Sequence, residues 1–375
     1  MANSALNKFR AVIGSAVVVT LLAISAPMPA ETLFNGRPSL ILEGRAARLV
    51  VDLGGGSLAD FRLSGHSVNP LQWDPGESAA LKPLGHFLCL DRWGAPSEAE
   101  ERNGMFFHGE ATRVEWTVHN GPARKSEAVE ATLSARLPMA GLEVLRTVRL
   151  SDSSASCIVS ESVTNRNKLG RIYNMVQHPT IGPPFLDEGT LVDSNARKGF
   201  MQTSPLPNPE EPAVYWPQAL KQGQPLSLRR LADDSDPNVV SFVFDEDLGW
   251  ITASSPSQGL LIGYLWSTAE YPWLNIWRHS ENGKPQARGL EFGTSGLHQP
   301  FPILVDKGRI FGRPLYVHLD AGQTTVRSYL AFLFEIPDDY RGVAGLTWRD
   351  GRLVVRELGG SSDRDLTMNT GAFPP

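Results

Sequence analysis

The chain has 375 residues, with 35 Lys or Arg against 40 Asp or Glu and a formal net charge of −5. No basic stripe interleaved with aromatic residues runs through it, which argues against a nucleic-acid partner. Its 35 glycines and 28 prolines point to many turns and few long helices.

The first thirty residues read as a signal peptide. Lys8 and Arg10 precede an almost wholly apolar run over residues 11–26, and small residues follow up to Ala30. Cleavage is expected between Ala30 and Glu31, with Ala26 as the alternative. The run is shorter than the ~20 residues that a spanning helix needs. No Cys stands beside it for a lipid anchor, and no later stretch is long and apolar enough to span a bilayer. The expectation is a periplasmic or secreted protein.

Strand signals dominate from there on. The run 47–53 is apolar-rich, Gly54, Gly55 and Gly56 turn the chain, and Ala59, Phe61 and Leu63 alternate with Asp60, Arg62 and Ser64. That pattern is a hairpin. Val129, Ala131, Leu133, Ala135 and Leu137 alternate with polar residues, which marks a half-buried antiparallel strand. Further strands are expected over 142–150, 157–164, 239–244, 249–253, 260–266 and 324–334. So many strands joined by short turns predict an all-β fold, a large antiparallel sandwich, over residues 31–338. Residues 204–237, rich in Pro, Gln and Asp, are expected to form a large loop. Residues 339–375 are expected to hold one hairpin around Arg349, Asp350 and Gly351 and a disordered tail from Gly359.

Cys89 and Cys157 each lie in an apolar run, so a disulfide and two buried thiols are equally compatible with the sequence. Neither has the spacing of a metal site or a thiol nucleophile. The acidic run 233–236 lacks EF-hand spacing and reads as a solvated loop. There is no His-Glu-x-x-His, no Gly-x-Ser-x-Gly and no phosphate-cradling glycine loop. Nine Trp residues offer platforms on which the C–H faces of sugars stack, although any one of them is more readily explained as core.

Three segments place titratable residues among apolar or small neighbours beside Gly or Pro. They are Phe106-Phe107-His108-Gly109-Glu110-Ala111 before Trp116, Asn174-Met175-Val176-Gln177-His178-Pro179 before Phe185, and Gly289-Leu290-Glu291-Phe292-Gly293-Thr294. Burial at such places shifts pKa values, which makes them candidate acid–base positions.

Together these segments resemble the galactose mutarotase (aldose 1-epimerase) superfamily. His108-Gly109-Glu110-Ala111 with Trp116 is similar to the His-Gly-Phe-Ala-Arg…Trp segment of its glucose-6-phosphate 1-epimerase-like branch. Pro83-Leu84-Gly85-His86-Phe87 through Trp93-Gly94 resembles that branch's Arg-Gly-Gly-Ile-Pro…Phe-Gly loop, and Asn69-Pro70-Leu71-Gln72-Trp73 resembles the start of its domain. Gln177-His178-Pro179 follows Thr164-Asn165 as the family's second active-site His follows a Thr-Asn. Glu291, Pro300 and Leu319-Asp320-Ala321-Gly322-Gln323 resemble the family's active-site Glu and the turn before its last strand.

The resemblance implies a mutarotase-like supersandwich that binds a mono- or oligosaccharide and needs no metal or cofactor. It implies Glu291 as the base that takes the anomeric proton, His178 as the acid that protonates the ring oxygen, and His108 as a polarising or sugar-binding group. Trp277, Gln177 and Arg278 are expected to contact the sugar. The family's loop Arg falls at or near Leu84, and Arg92 is the residue placed to replace it. The best functional expectation is an aldose 1-epimerase-like isomerase. The alternatives are a non-catalytic sugar-binding protein of the envelope and a polysaccharide lyase or hydrolase relative.

Overall fold

The computed structural model describes residues 32–231 and 234–372, so the expected signal peptide lies outside the described residues. The fold is a sandwich of a twelve-stranded and an eight-stranded sheet, built from antiparallel ladders. Period-two alternation explains how the sheets meet. In the strand Leu142–Ser151, Leu142, Val144, Val148 and Leu150 are buried while Glu143, Leu145, Thr147 and Arg149 are not. The inward faces of both sheets merge into one core, which includes Leu88, Met175, Leu274 and Phe292 from the large sheet and Val159, Ile262, Trp266 and Tyr329 from the small one. Trp266 lies flat on Phe292, with ring centroids 4.2 Å apart. The expected hairpin is formed by Ala47–Asp52 and Leu58–Leu63.

The core also holds a polar network. Arg146 is buried, donates to Glu161 at 2.7 Å and lies over the Trp116 ring at 4.3 Å. Gln177 donates to Glu161 at 2.6 Å and to Tyr271 at 3.2 Å, and its carbonyl oxygen meets His86 at 3.2 Å. Most of its polar atoms satisfy one another across the sandwich, while His86 Nδ1 is buried with no partner among the described residues.

Five adjacent strands form the middle of the large sheet: His86–Asp91, Arg171–Ile181, Lys284–Gly293, Trp273–Glu281 and Val239–Val243. Their inward residues feed the core, so the alternate residues Phe87, His178, Glu291, Trp277 and Val239 share the opposite face.

Two regions differ from expectation. Residues 204–237 contain a strand, Val214–Tyr215, that pairs with Lys198–Met201, and a small hairpin, Gln218–Lys221 with Gln224–Ser227. The tail is partly ordered, because Leu366–Asn369 pairs with Arg352–Glu357 and adds a third strand to the expected hairpin. This small sheet packs Val343, Leu353 and Val355 against Trp250, Leu261, Leu330 and Phe332 on the outer face of the eight-stranded sheet. Leu366 and Met368 of the third strand pack against the same cluster and hold it in place. Cys89 and Cys157 are both free and buried. Cys89 packs with Phe87 and Trp93 on the outward face of the large sheet and Cys157 lies in the inter-sheet core, so they do not pair. Asp233 lies outside the described residues, and Asp234 pairs with Lys221.

Candidate functional site

The outward face of the five central strands forms the floor of a cleft of about 490 Å³. Register brings its two central groups together. The ladder that pairs Gln177 with Phe292 and Thr180 with Gly289 sets His178 opposite Glu291. His178 Nε2 lies 3.2 Å from Glu291 Oε1. The other carboxyl oxygen, Oε2, accepts a hydrogen bond from Trp93 Nε1 at 2.7 Å. His178 Nδ1 lies 2.9 Å from Thr180 Oγ1, and its ring is stacked on Phe87 at 4.1 Å. Both groups are nearly enclosed, with Glu291 1% and His178 4% exposed.

His108 enters from the loop beside the strand His86–Asp91. A bridge between Leu90 and Gly109 pins that loop to the strand. A Cβ on Gly109 would fall 2.1 Å from the Leu90 carbonyl oxygen at a φ of +80°, so only glycine fits there. His108 itself is left-handed, with φ 64°. Its backbone N–H donates to the Gly94 carbonyl, and its Nδ1 accepts from the Gly94 N–H, each at 3.0 Å. The proton of a neutral His108 is therefore on Nε2, where it can be donated.

Aromatic residues wall the cleft. Trp73 meets Trp277 edge-on at 6.0 Å and stacks on Phe87 at 5.8 Å. On the other side Phe107, 53% exposed, packs against His108 at 4.1 Å and His298 at 5.4 Å. His298 also sits edge-on to Trp93 at 4.6 Å. Its backbone N–H donates to Gln202, which lines the cleft as well. An exposed Phe beside buried polar groups suits a ligand with apolar and polar faces.

Burial governs the electrostatics. It pushes Glu291 up to about 8, against the pull of the Trp93 hydrogen bond. It pushes His178 down to about 3 and His298 down to about 4. His108 is driven well below its usual value by burial and then by the neighbouring imidazoles of His178 and His298. Arg113, a cation on the wall, is bound to Glu77 at 2.7 Å. Among the described residues no group of three or more His, Cys, Asp or Glu is arranged to hold a metal ion.

The structure gathers His108, His178, Trp277 and Glu291 into this cleft. It places three other expected contacts elsewhere. Gln177 neighbours His178 on an extended strand and therefore points into the core network. Arg278 neighbours Trp277 and turns away for the same reason; it is buried and donates to the carbonyl oxygens of Pro237 and Asp234. Arg92 is locked by Asp91 at 2.7 Å and Glu100 at 2.9 Å and does not line the cleft, so it does not replace the missing loop Arg. His298 and Gln202 were not singled out from the sequence, and neither lies in a recognisable pattern.

The chain matches solved structures over most of their length. A galactose mutarotase-like protein from Clostridium acetobutylicum is 13% identical, with a TM-score of 0.60, and the match covers 82% of this chain and 98% of that one. The fold is galactose mutarotase-like. A galactose mutarotase related enzyme from Lactobacillus acidophilus is also 13% identical, with a TM-score of 0.59 and coverage of 80% and 98%. A candidate aldose 1-epimerase from Escherichia coli K12 is 16% identical, with a TM-score of 0.56 and coverage of 80% and 99%. No family sequence model matches the chain, and no curated protein matches it by sequence.

Proposed function

We propose that this protein is an aldose 1-epimerase-like isomerase that interconverts the anomers of a sugar. The observation that carries the reading is the buried Glu291–His178 pair at the floor of an aromatic cleft. Anomer exchange needs one group to take the proton of the anomeric hydroxyl and another to protonate the ring oxygen. The pair offers a carboxyl and an imidazole 3.2 Å apart, which suits two oxygens carried by one carbon. Proton-transfer groups of this kind each contribute about 10²–10⁴-fold. The Trp73, Trp277 and Phe107 rings would stack on the sugar's C–H faces, and His108 would donate to one of its oxygens.

The test is anomer exchange on freshly dissolved sugars, followed by NMR or polarimetry and compared with the spontaneous rate. Calorimetry against a panel of aldoses and oligosaccharides, with a chelator present, should reveal at least one weak binder. Exchange faster than spontaneous for a bound sugar is the expected result. Binding without acceleration for every sugar would replace the isomerase with a non-catalytic sugar-binding protein. Binding that appears only with added calcium would return attention to the 233–236 loop.

Export is part of the same proposal and rests on Lys8, Arg10 and the apolar run 11–26. Mature protein from the native host should begin at Glu31 or Pro27 on N-terminal sequencing. A mature product that keeps Met1 and stays in the cytoplasm would overturn it.

A further inference from the structure

Glu291 is poorly braced by its own strand. The residues two positions away on the same face are Gly289 and Gly293, so no side chain of that strand flanks the carboxyl group. Among the described residues the carboxyl has two polar neighbours. His178 Nε2 lies 3.2 Å from Oε1, and Trp93 Nε1 lies 2.7 Å from Oε2. A bound sugar affects these two contacts differently. To exchange protons with both Glu291 and His178 it must bring its oxygens to Oε1 and Nε2, so it takes the place of the contact between them. The Trp93 bond is on the other oxygen and survives. An indole N–H can only donate, so this bond has one sense whatever the state of the carboxyl.

The donor is itself rigidly held. Trp93 is 1% exposed and packs with Phe87, Cys89 and Val176, with His298 edge-on to its ring at 4.6 Å. The next residue, Gly94, anchors the loop through both of its backbone polar groups, which bond to His108. Gly94 has a φ of +100°, and a Cβ there would fall 2.9 Å from the His298 ring, so glycine is needed at this joint. A donor fixed before the sugar arrives costs no reorganisation when the proton moves. Trp93-Gly94 stands where the loop it resembles has Phe-Gly. A phenyl ring carries no donor, so the contact belongs to this chain's own sequence.

The surroundings offer the carboxyl little else. The other titratable groups facing Glu291 are His178 beside it, His108 and His298 across the cleft, and Cys89 on the strand next to that of His178. Burial disfavours the charged form of each. The Arg113 guanidinium on the wall is bound to Glu77.

We propose that Trp93 is the positioning residue for Glu291, its indole N–H holding Oε2 in place and leaving Oε1 as the oxygen that exchanges a proton with the sugar. Its kinetic role rests on the isomerase reading. The proposal splits the carboxyl into a tethered oxygen and a working one. The tether keeps the side chain aimed at the cleft floor when the sugar displaces the His178 contact, and it supports negative charge on the carboxyl at each point where the proton is away.

The test uses two replacements that keep an aromatic body at position 93 and lack the N–H. One is Trp93→Phe. The other is benzothienylalanine, which puts sulfur in place of Nε1 at nearly the same shape. With a sugar whose exchange wild type accelerates, both should lower kcat by ~10–10²-fold and leave KM within a few-fold. The limb of the pH profile that belongs to Glu291 should move to higher pH by about one unit, because the lost donor favoured the carboxylate. Unchanged exchange would overturn the proposal. So would a loss of activity with an unshifted pH profile, which would leave Trp93 with packing as its role. The hydrogen bond is read without turnover from the Trp93 indole N–H signal in wild type labelled with ¹⁵N-tryptophan, assigned by its absence in either replacement. That signal should shift as Glu291 titrates and shift again in Glu291→Gln. A signal that ignores both would overturn the proposal at its first step. A wild type that accelerates exchange of no sugar it binds would overturn the kinetic role together with the isomerase reading, whereas an indole signal that follows Glu291 would still uphold the tether.

Discussion

Glu291→Gln is expected to slow anomer exchange by ~10²-fold or more while sugar affinity stays within a few-fold. Gln keeps the length and planarity of the side chain, so its oxygen can still accept from Trp93 Nε1 and its amide can still donate to His178 Nε2. What disappears is the ability to pass a proton, whichever direction the proton travels. His178→Asn should act in parallel, because an amide cannot exchange a proton with a sugar oxygen. A second readout follows from linkage. The folded protein holds Glu291 at about 8, whereas the ordinary value is 4.5. Between those values the folded state keeps a proton that the unfolded state has lost, so the stability gained from this group is full at low pH and is lost as pH rises toward 8. The slope from this one group is roughly 1 kcal/mol per pH unit. Gln removes that slope, so the variant's melting temperature should overtake that of wild type progressively between pH 5 and 8. A Gln variant with undiminished exchange would show that another group moves the proton. A wild type whose stability difference from Gln ignores pH would show that Glu291 does not titrate in that window.

The sheets were legible in the sequence because a strand writes its two faces into alternate residues. Val129, Ala131, Leu133, Ala135 and Leu137 needed no tertiary context, and neither did the glycine turn at 54–56. The same alternation contained information that segment reading passed over. His178 and Glu291 stand on the outward face, so their neighbours Gln177 and Phe292 must point into the core. A polar residue adjacent to a candidate site residue on a strand is thereby excluded from the cleft, and Arg278 beside Trp277 fails for the same reason. His298 was not legible. It lies past the end of the strand Lys284–Gly293 and reaches the cleft by packing against Trp93, just over two hundred positions away in sequence. Trp93 was visible as part of a family-like loop, but nothing in its spacing announced that its indole N–H would hold a carboxyl group on another strand. The strand Leu366–Asn369 was missed because it is short: Leu366 and Met368 alternate with Thr367 and Asn369, but so brief an alternation marks nothing until its ladder with Arg352–Glu357 forms.

On the proposed isomerase reading, the cleft also bears on what kind of sugar would fit. Its imidazoles are held neutral by burial and Arg113 is bound to Glu77, so its walls offer little to a phosphate group. Its aromatic rings and the Nε2–H donor of His108 suit an uncharged ring with hydroxyls on one side and C–H groups on the other.

Gly289→Ala is expected to lower exchange by ~10²-fold with a stability loss of about 1–3 kcal/mol or less. Gly289 and Glu291 lie two residues apart on one strand and so share a face. A Cβ at Gly289 would sit 2.7 Å from Glu291 Oε1 and 3.0 Å from the Cβ of Trp277, its cross-strand partner. Alanine is at ease in a strand whose φ is not left-handed, so the ladder itself should tolerate the change. The carboxyl cannot stay where it is. It must swing away from His178, from Trp93 or from both, and a displacement of about 1 Å at a reacting group is enough for a loss of this size. A double-mutant cycle separates this from general damage to the fold. Once Glu291→Gln has removed proton transfer, adding Gly289→Ala should cost little further exchange, because both changes act through the same carboxyl position. Full additivity of the two losses would mean that Ala acts elsewhere, for instance by shifting Trp277. A Gly289→Ala protein as active as wild type would mean that the Oε1 position is not the one used in the reaction.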